Sequence, residues 1–479
     1  MLQNVSKNGT NRSFTQYTKS LIKQYLQNPY SYRDQVREVS RFLWRVSALY
    51  KRLIMTYAVM PLYNYTLTQK VDYTKSLNSK KSMSDYEKIL KRMQAINFYD
   101  EFATAVAIAL RDGVYYSFVY DNEEDGLFFH VLDPQYCKIL GKNESGQWIV
   151  CFDATYFSRG NNIIFVEGIN GDTSGCWDEC FISGYREYQD NRDARWFILP
   201  PEKTMCLLAS ESDSFDLILP YFTGIFVDIL SSLDARDLVS DRAYLENFVL
   251  LVSKIPLISG SNTVDDFAVS LEICKAMQEL IDAAVGELIG TAMSPMGIEA
   301  IKLKDRNDTS ETDLIGKSIE NTLKNAGVTP NLLSASETAN AVAQKYSVLN
   351  DTSLIFQLIS RLESNFNYYI RKNMSDQYMF KIHRQTWYNE DEYIEKQRMG
   401  TTLGTPVLDY LTAMGMTPYE AICKIKFEDA IGIKDLMVPL MSSYNTSSSS
   451  IENRTSGRPN VDDDEVGEST ERTRDNTSA

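Results

Sequence analysis

LLSASETANAVAQKYSVLNDTSLIFQLISRLESNFNYYI, residues 332–370, carries a very long helical pattern behind a short polar lead. It opens with small and polar residues, Ser334-Ala335-Ser336-Glu337, and then becomes a long helical pattern. Val342, Tyr346, Leu349, Phe356, Leu362, Phe366 and Ile370 form an apolar seam along it. Ser334 and Glu337 have the spacing of a capping box, in which each side chain satisfies a backbone N–H at a helix start. The pattern therefore predicts a helix from 335 to about 373, about 58 Å long at the usual helical rise. Ahead of it, Gly327 ends one helical pattern and Pro330 stiffens a turn. Residues 328–333 are left as a tight connection.

Working back from this connection, TSETDLIGKSIENTLKNAG (309–327) reads as a helix with Leu314, Ile315, Ile319 and Leu323 on its apolar side. Asp313, Lys317, Glu320 and Lys324 form a mixed-charge stripe on another side, where neighbours three and four apart pair weakly. The chain before it predicts a strand in LLVSKIPLIS, an amphipathic helix over 263–289 and a second strand in GIEAIKLK. Before that, a helix of about 30 residues starts at Pro220, which would be about 45 Å long. Two helices thus bracket a small strand–helix–strand insertion, 248–306.

The N-terminal part reads as mixed helix and sheet. Residues 14–28 predict a short helix. Residues 31–57 predict a longer one, because Val36, Val39, Leu43, Val46, Tyr50, Leu53 and Tyr57 alternate gaps of three and four. Arg33, Arg37, Arg41 and Arg45 recur every four residues on its other side and read as a solvated face, with a basic stripe for an acidic partner as the alternative. A helical block over 83–111 stops at Asp112-Gly113. Val114–Tyr120 and Leu127–Leu132 then predict a hairpin. Further strands are predicted in QWIVCFDA, NIIFVEG, CFISGYREY, RWFIL and TMCLLAS. Residues 1 to about 215 would make an α+β domain with an antiparallel sheet.

After the long helix, Gly400, Gly404, Gly415 and two prolines break 390–440 into short helices. From 441 on the chain is nearly free of apolar residues and carries eight acids and four bases. It cannot bury enough surface to offset its chain entropy, so disorder is expected.

The 479 residues carry a formal net charge of −15. Tight binding to nucleic acid relies on Lys and Arg neutralising phosphates, so an acidic chain is not expected to grip it. The opening MLQNVSKNGTNRSF lacks an apolar core, so no export signal is expected there. No run of about 18 apolar residues predicts a membrane span. Cys176 and Cys180 lack the partners of a zinc site, and reduced thiols are expected. His130 and His383 read as structural. No nucleophile elbow, phosphate-binding loop, zinc-protease or dinucleotide motif occurs, and no cofactor, metal or catalytic residue is expected. Asp462-Asp463-Asp464-Glu465 reads as a solvating run, and Asp265-Asp266 suits the start of a helix.

The order of these elements resembles the portal protein of tailed bacteriophages. ATAVAIALRDGVYYSFVYDNEEDGLFFHVLDPQYCKIL looks like the wing segment of that family, and 332–370 is similar to its loop and spine. The resemblance covers about 30–440. It implies an α+β, portal-like fold with an α/β wing, a two-helix stem, an inserted α/β clip, a long spine helix and a helical crown. The corresponding bounds are 1–218 for the N-terminal segment and wing, 219–247 for the first stem helix and 248–306 for the clip. The second stem helix is 307–327, the tunnel loop 328–334, the spine and wing return 335–389, the crown 390–440 and the acidic tail 441–479.

By this resemblance about twelve copies form a ring at one capsid vertex in the virion, assembled in the host cytoplasm. Double-stranded DNA passes through it during packaging and ejection. Terminase, the major capsid protein and scaffold, and a head-tail adaptor are the implied partners; no membrane or catalysis is implied. Val328, Thr329, Pro330, Asn331, Leu332 and Leu333 would form the tunnel loop, with Ser334 and Glu337 capping the spine. Asp313, Lys317, Glu320 and Lys324 would either face the channel or pair between subunits. Asp265, Glu272, Lys275 and Glu279 would be exposed for terminase or adaptor, and the apolar side of the clip helix would supply subunit contacts. Another virion assembly component, such as a scaffold or connector, or a nucleic-acid enzyme with an unfamiliar site, are the alternative readings. The acidic composition suits a channel, since strong phosphate contacts would brake sliding DNA.

Overall fold

The computed structural model describes residues 17–70, 79–122, 126–158, 177–210, 217–247, 249–255, 258, 268–284, 289–294, 311–328 and 341–432. It divides the chain into two compact units, Met1–Ala421 and Ile422–Ala479. In chain order the helices and strands begin with α1 Lys19–Gln27, α2 Arg33–Val46, α3 Ala48–Val59, β1 Tyr65–Gln69, α4 Ser79–Gln94 and α5 Phe98–Asp112. There follow β2 Val114–Asn122, β3 Gly126–Leu132, β4 Cys137–Lys142, β5 Trp148–Asp153, α6 Glu179–Asp190, β6 Trp196–Ile198 and β7 Thr204–Leu208. Next come α7 Phe226–Asn247, β8 Val249–Lys254, α8 Leu271–Ala284, β9 Ile289–Ser294 and α9 Glu311–Asn325. The described chain ends with α10 Ala341–Tyr369, β10 Tyr378–Ile382, α11 Glu390–Thr402, α12 Val407–Ala413 and α13 Pro418–Ala430.

The sheets are small and, in the N-terminal part, antiparallel. One has the order β3-β2-β7, a second β4-β5-β6, and a third pairs β1 with β10. Strand β2 is buried on both faces, from Val114 to Val119, which is why it reads as an apolar run and not as an alternation. Tyr116 and Phe118 pack in one core with Phe152, Phe157 and Phe181. A second group of aromatic rings ties α5, α10 and β10 together: Phe98 meets Phe366 at 5.4 Å, and Phe366 meets Phe380 at 4.8 Å.

Gly113 makes the predicted helix stop, with φ +88°. A Cβ here would stand 2.5 Å from the carbonyl oxygen of Leu219, so the left-handed turn and the close backbone approach both require glycine.

The structure corrects four local readings. The apolar stripe over 31–57 belongs to two helices, α2 and α3. Ser47 breaks the run: its N–H caps α2 on the carbonyl of Leu43, and its Oγ accepts from the Tyr50 N–H at 3.2 Å to start α3. The block 83–111 divides in the same way at Asn97, whose side chain accepts from the Asp100 N–H.

CFISGYREY is a helix and not a strand. Its aromatic and branched residues suggest strand, but Asp178 caps it, accepting from the Cys180 N–H at 3.1 Å, and Phe181, Ile182 and Tyr185 lie on one buried face. Finally, Ile289–Ser294 is a strand that the sequence reading did not expect, beginning where the predicted helix ends. GIEAIKLK lies outside the described residues, as do NIIFVEG and the acidic tail.

The insertion is a βαβ unit: β8 and β9 pair in parallel, Val249 opposite Ile289 through Lys254 opposite Ser294, and α8 packs on β9. Helices α7 and α9 pack on each other. Helix α10 has 29 residues, hence a length of about 44 Å. Its buried face runs through Ile355, Leu358, Ile359, Leu362 and Phe366. Of the predicted seam, Phe356 and Leu349 are only half-buried, because the true face lies one residue over at Ile355 and Val348. Polar side chains fix α10 to the end of β7. Arg361 donates to the Leu208 carbonyl at 2.9 Å, and Asn365 to that of Cys206 at 3.0 Å. Asn367 completes the hold by exchanging hydrogen bonds with the backbone of Phe380 in β10.

Candidate ring and channel surfaces

The two helices that bracket the insertion meet where one leaves and the other returns. Asp228 lies in the first turn of α7, where a carboxylate suits the helix dipole. Asn325, the last residue of α9, donates its side-chain amide to Asp228 Oδ2 at 2.8 Å. This contact joins residues 97 apart in sequence. The pair is therefore antiparallel, going out from the body at Phe226 and coming back at Asn325. At its base, Phe226, Ile229, Thr322 and Leu323 are buried, and Phe226 packs edge-on against Tyr50 of α3.

Lys317, Glu320 and Lys324 are exposed and share one face of α9, flanked by the buried Leu323. Lys324 Nζ pairs with Glu320 Oε1 at 2.6 Å, with the acid on the N-terminal side, the favourable order for a helical pair. Asp313 lies on the same helix.

Val328 follows Gly327, which adopts φ +70°. Val328 is buried, and its N–H caps α9 on the Leu323 carbonyl at 3.0 Å. Thr329, Pro330, Asn331, Leu332 and Leu333 lie outside the described residues, as do Ser334 and Glu337.

Helix α8 presents two stripes. Glu272, Lys275 and Glu279 are exposed and share a face at helical spacing; Asp265 lies outside the described residues. About a third of a turn away, Ile273, Met277 and Leu280 form a second exposed stripe, at spacings of four and three. These three are 54–66% exposed, while Cys274 is buried toward the rest of the unit. The spacing was available in the sequence, but it did not say which apolar side β9 would cover. Another exposed apolar group, Met399, Leu403 and Val407, lies where α11 turns into α12.

Two members of the arginine stripe of α2, Arg37 and Arg41, form an internal ion network, while Arg33 and Arg45 are exposed as a solvated face would be. Arg37 is buried, donating to the Asp112 carbonyl at 3.2 Å and to Asp34 Oδ1 at 3.3 Å. Arg41 forks onto the Asp112 carboxylate at 3.0 and 3.2 Å and reaches Asp133 at 3.0 Å. Arg111 makes a second fork onto Asp112, with both bonds at 2.9 Å. Burial alone would raise the Asp112 carboxyl, but the hydrogen bonds and charges of Arg111 and Arg41 hold it below its ordinary value. The network joins α2 to the α5–β2 turn and to the start of β4. Sequence periodicity could not reveal it, because the partners are more than 70 residues away.

Both histidines have structural settings. His383 follows β10 and is buried. Its Nε2 lies 2.8 Å from Thr412 Oγ1 and its Nδ1 2.9 Å from Tyr393 OH. Thr412 gives its own proton to the Leu408 carbonyl, which assigns Nε2 as the donor and Nδ1 as the acceptor from tyrosine. Burial pushes the His383 pKa down to about 4. This neutral ring anchors α11 and α12 to the β1–β10 pair. His130 is half-buried, edge-on to Trp177 at 4.6 Å. Among the described residues no helix is long and apolar enough to cross a membrane, and no group of three His, Cys, Asp or Glu residues could hold a metal ion.

No protein-family model matches the chain, and no curated protein matches it. Solved structures do. A chain of the virion of the native gene transfer agent particle is similar at 12% identity and a TM-score of 0.43, over 80% of this chain and 94% of that one. A chain from the neck of the native particle, computed with C12 symmetry, is similar at 12% identity and a TM-score of 0.43, covering 77% of this chain and 93% of that one. An HK97-family phage portal protein from Corynebacterium diphtheriae is similar at 11% identity and a TM-score of 0.32, over 71% and 93%. The solved neighbours thus include a portal protein, the family that the sequence resembles.

Proposed function

We propose that this chain is the subunit of a portal-type ring at a capsid vertex, through which double-stranded DNA is packaged and ejected. The observation that carries the reading is the out-and-back helix pair α7–α9, closed at its base by Asn325 and Asp228 and carrying a βαβ unit between its helices. In this reading α7 and α9 are the stem, the βαβ unit is the clip, α10 is the spine, the sheets β1–β7 with β10 are the wing, and α11–α13 begin the crown. About twelve copies close the ring.

The exposed stripes take separate roles. Ile273, Met277 and Leu280 are apolar and adjacent, so covering them by a neighbouring copy gains free energy, on the order of 1 to 3 kcal/mol for each large side chain fully buried. Glu272, Lys275 and Glu279 stay exposed at the clip and, with Asp265, meet terminase during packaging and the head-tail adaptor afterwards. Lys317, Glu320, Lys324 and Asp313 line the channel or bridge neighbouring stems. The internal pairing of Lys324 with Glu320 supports a channel wall of low net charge, which lets DNA slide. The outer part of the ring meets the major capsid protein and scaffold. The ring itself performs no catalysis and binds no cofactor; it acts in the virion, after assembly in the host cytoplasm. Residues 328–334 are the tunnel loop, anchored at one end by the buried Val328, and its uncharged side chains keep the constriction free of phosphate contacts.

The test is a double variant, Asn331→Lys with Leu332→Lys. Ring formation should be unchanged while packaged DNA per particle falls, because each lysine adds a phosphate contact. Normal DNA content in such particles would remove this loop from the constriction.

A further inference from the structure

The chain has 64 acidic and 49 basic residues, yet one cavity reverses that balance. It measures about 260 Å³ and lies between the start of α2 and the β4–β6 sheet. Its charged lining is Arg33, Arg37, Lys138 and Arg195 against Asp34, and with Asp153, which pairs Arg195 from behind, the local excess is two positive charges.

Several elements converge to build it. Arg37 projects from α2 and is only 5% exposed, so a guanidinium is held in the wall of the cavity and not at its edge. Arg37 and Arg33 share one carboxylate, Asp34, at 3.3 and 4.0 Å. Arg195, just before β6, is held by Asp153 at 2.9 Å. Lys138 of β4 places its ammonium 4.3 Å from the ring centre of Trp196. Trp196, Pro134 and Ile139 add apolar surface to the same lining.

This arrangement selects a ligand class. Guanidinium forks match carboxylates and phosphates. A nucleic-acid backbone needs cations strung along a groove, whereas these cations converge on one small space. The volume is below that of most small-molecule sites, about 300 Å³ and upward. The apolar lining beside the charges fits a side chain next to the anion. We propose that this cavity receives an acidic side chain of a peptide segment in a partner protein, with an adjacent apolar residue resting on Trp196, Pro134 and Ile139.

The test uses the full-length protein and fluorescence anisotropy. The probes are a short labelled peptide of alternating Asp and Leu, the same peptide with Asn for Asp, and labelled single-stranded and duplex DNA. The acidic peptide should bind and the Asn peptide should not. The variant Arg33→Glu with Lys138→Glu should weaken binding at least about tenfold, since two charge-assisted contacts become repulsions. Lys138→Gln, a mild change at an exposed position, should weaken it about threefold, and Lys88→Glu, on α4, should leave it unchanged. An acidic peptide that fails to bind, or binds both Lys138 variants as well as the unaltered protein, overturns the proposal. DNA that outcompetes the peptide and is lost in the same variants also overturns it, in favour of nucleic acid. The measurement reads the cavity and not the ring, so it stands or falls separately from the assembly reading.

Discussion

Asn325 and Asp228, 97 residues apart, are joined by one hydrogen bond of 2.8 Å between the end of α9 and the start of α7. Everything between them is an excursion that leaves and returns at the same place. If that contact holds the helix pair together, Asn325→Ala should cost about 1 kcal/mol, the usual worth of such a bond. In a double-mutant cycle with Asp228→Ala, urea denaturation should show coupling of about 0.5–1.5 kcal/mol. Strictly additive effects would mean that the two side chains do not meet.

The Arg41–Asp112–Arg111 network makes a prediction about charge. Arg41→Met removes one of two guanidinium forks from a carboxylate with no exposed surface. The cost should approach 3 kcal/mol, the lower range for breaking a buried pair, because Arg111 still compensates. The Asp112 pKa is depressed in the folded state. Its contribution is therefore fully present above the unfolded value of about 3.9 and is lost as pH falls through the lower folded value. Stability measured between pH 5 and pH 3 should fall less steeply in Asp112→Asn than in the unaltered protein.

His383 gives the acid sensitivity at a higher pH. Its folded pKa is about 4, against an ordinary value of 6.5. Between those values the unfolded chain binds the proton and the folded chain does not, so stability falls as pH is lowered from about 6.5 to 4. The full effect is at most about 3 kcal/mol. Denaturation midpoints at pH 7 and pH 5 should differ more for the unaltered protein than for His383→Gln, which keeps a polar group but cannot titrate. Equal differences would show that His383 is not the source.

The sequence made some of these relationships legible and hid others for physical reasons. Gly113, the β2–β3 hairpin and the bracketed insertion could be read, because turn chemistry and local periodicity announce them. The break at Ser47 was hidden because the apolar stripe continues through it, and only the reversal of its capping role from α2 to α3 separates the helices. CFISGYREY was misread because aromatic and branched residues favour strands; the cap from Asp178 and the burial of Phe181, Ile182 and Tyr185 on one face decided for helix. The pairing of β1 with β10 joins Tyr65 to Ile382 across the whole N-terminal region and the helix pair, beyond the reach of any local pattern. At the candidate surfaces, Lys317, Glu320 and Lys324 could be placed on one face from spacing alone. Arg37 and Arg41 of α2 could not be assigned, since Asp112 and Asp133 reach them only through the fold.

In the proposed ring, neighbouring copies meet through surfaces such as Ile273, Met277 and Leu280. Electron microscopy of the purified protein distinguishes a ring from a monomer. Hollow rings of about twelve copies are expected, and they should dissociate or become heterogeneous in a Met277→Asp, Leu280→Asp variant that retains its helical circular dichroism. A monodisperse monomer at high protein concentration, with the unaltered chain and the variant behaving alike, would contradict the proposed ring.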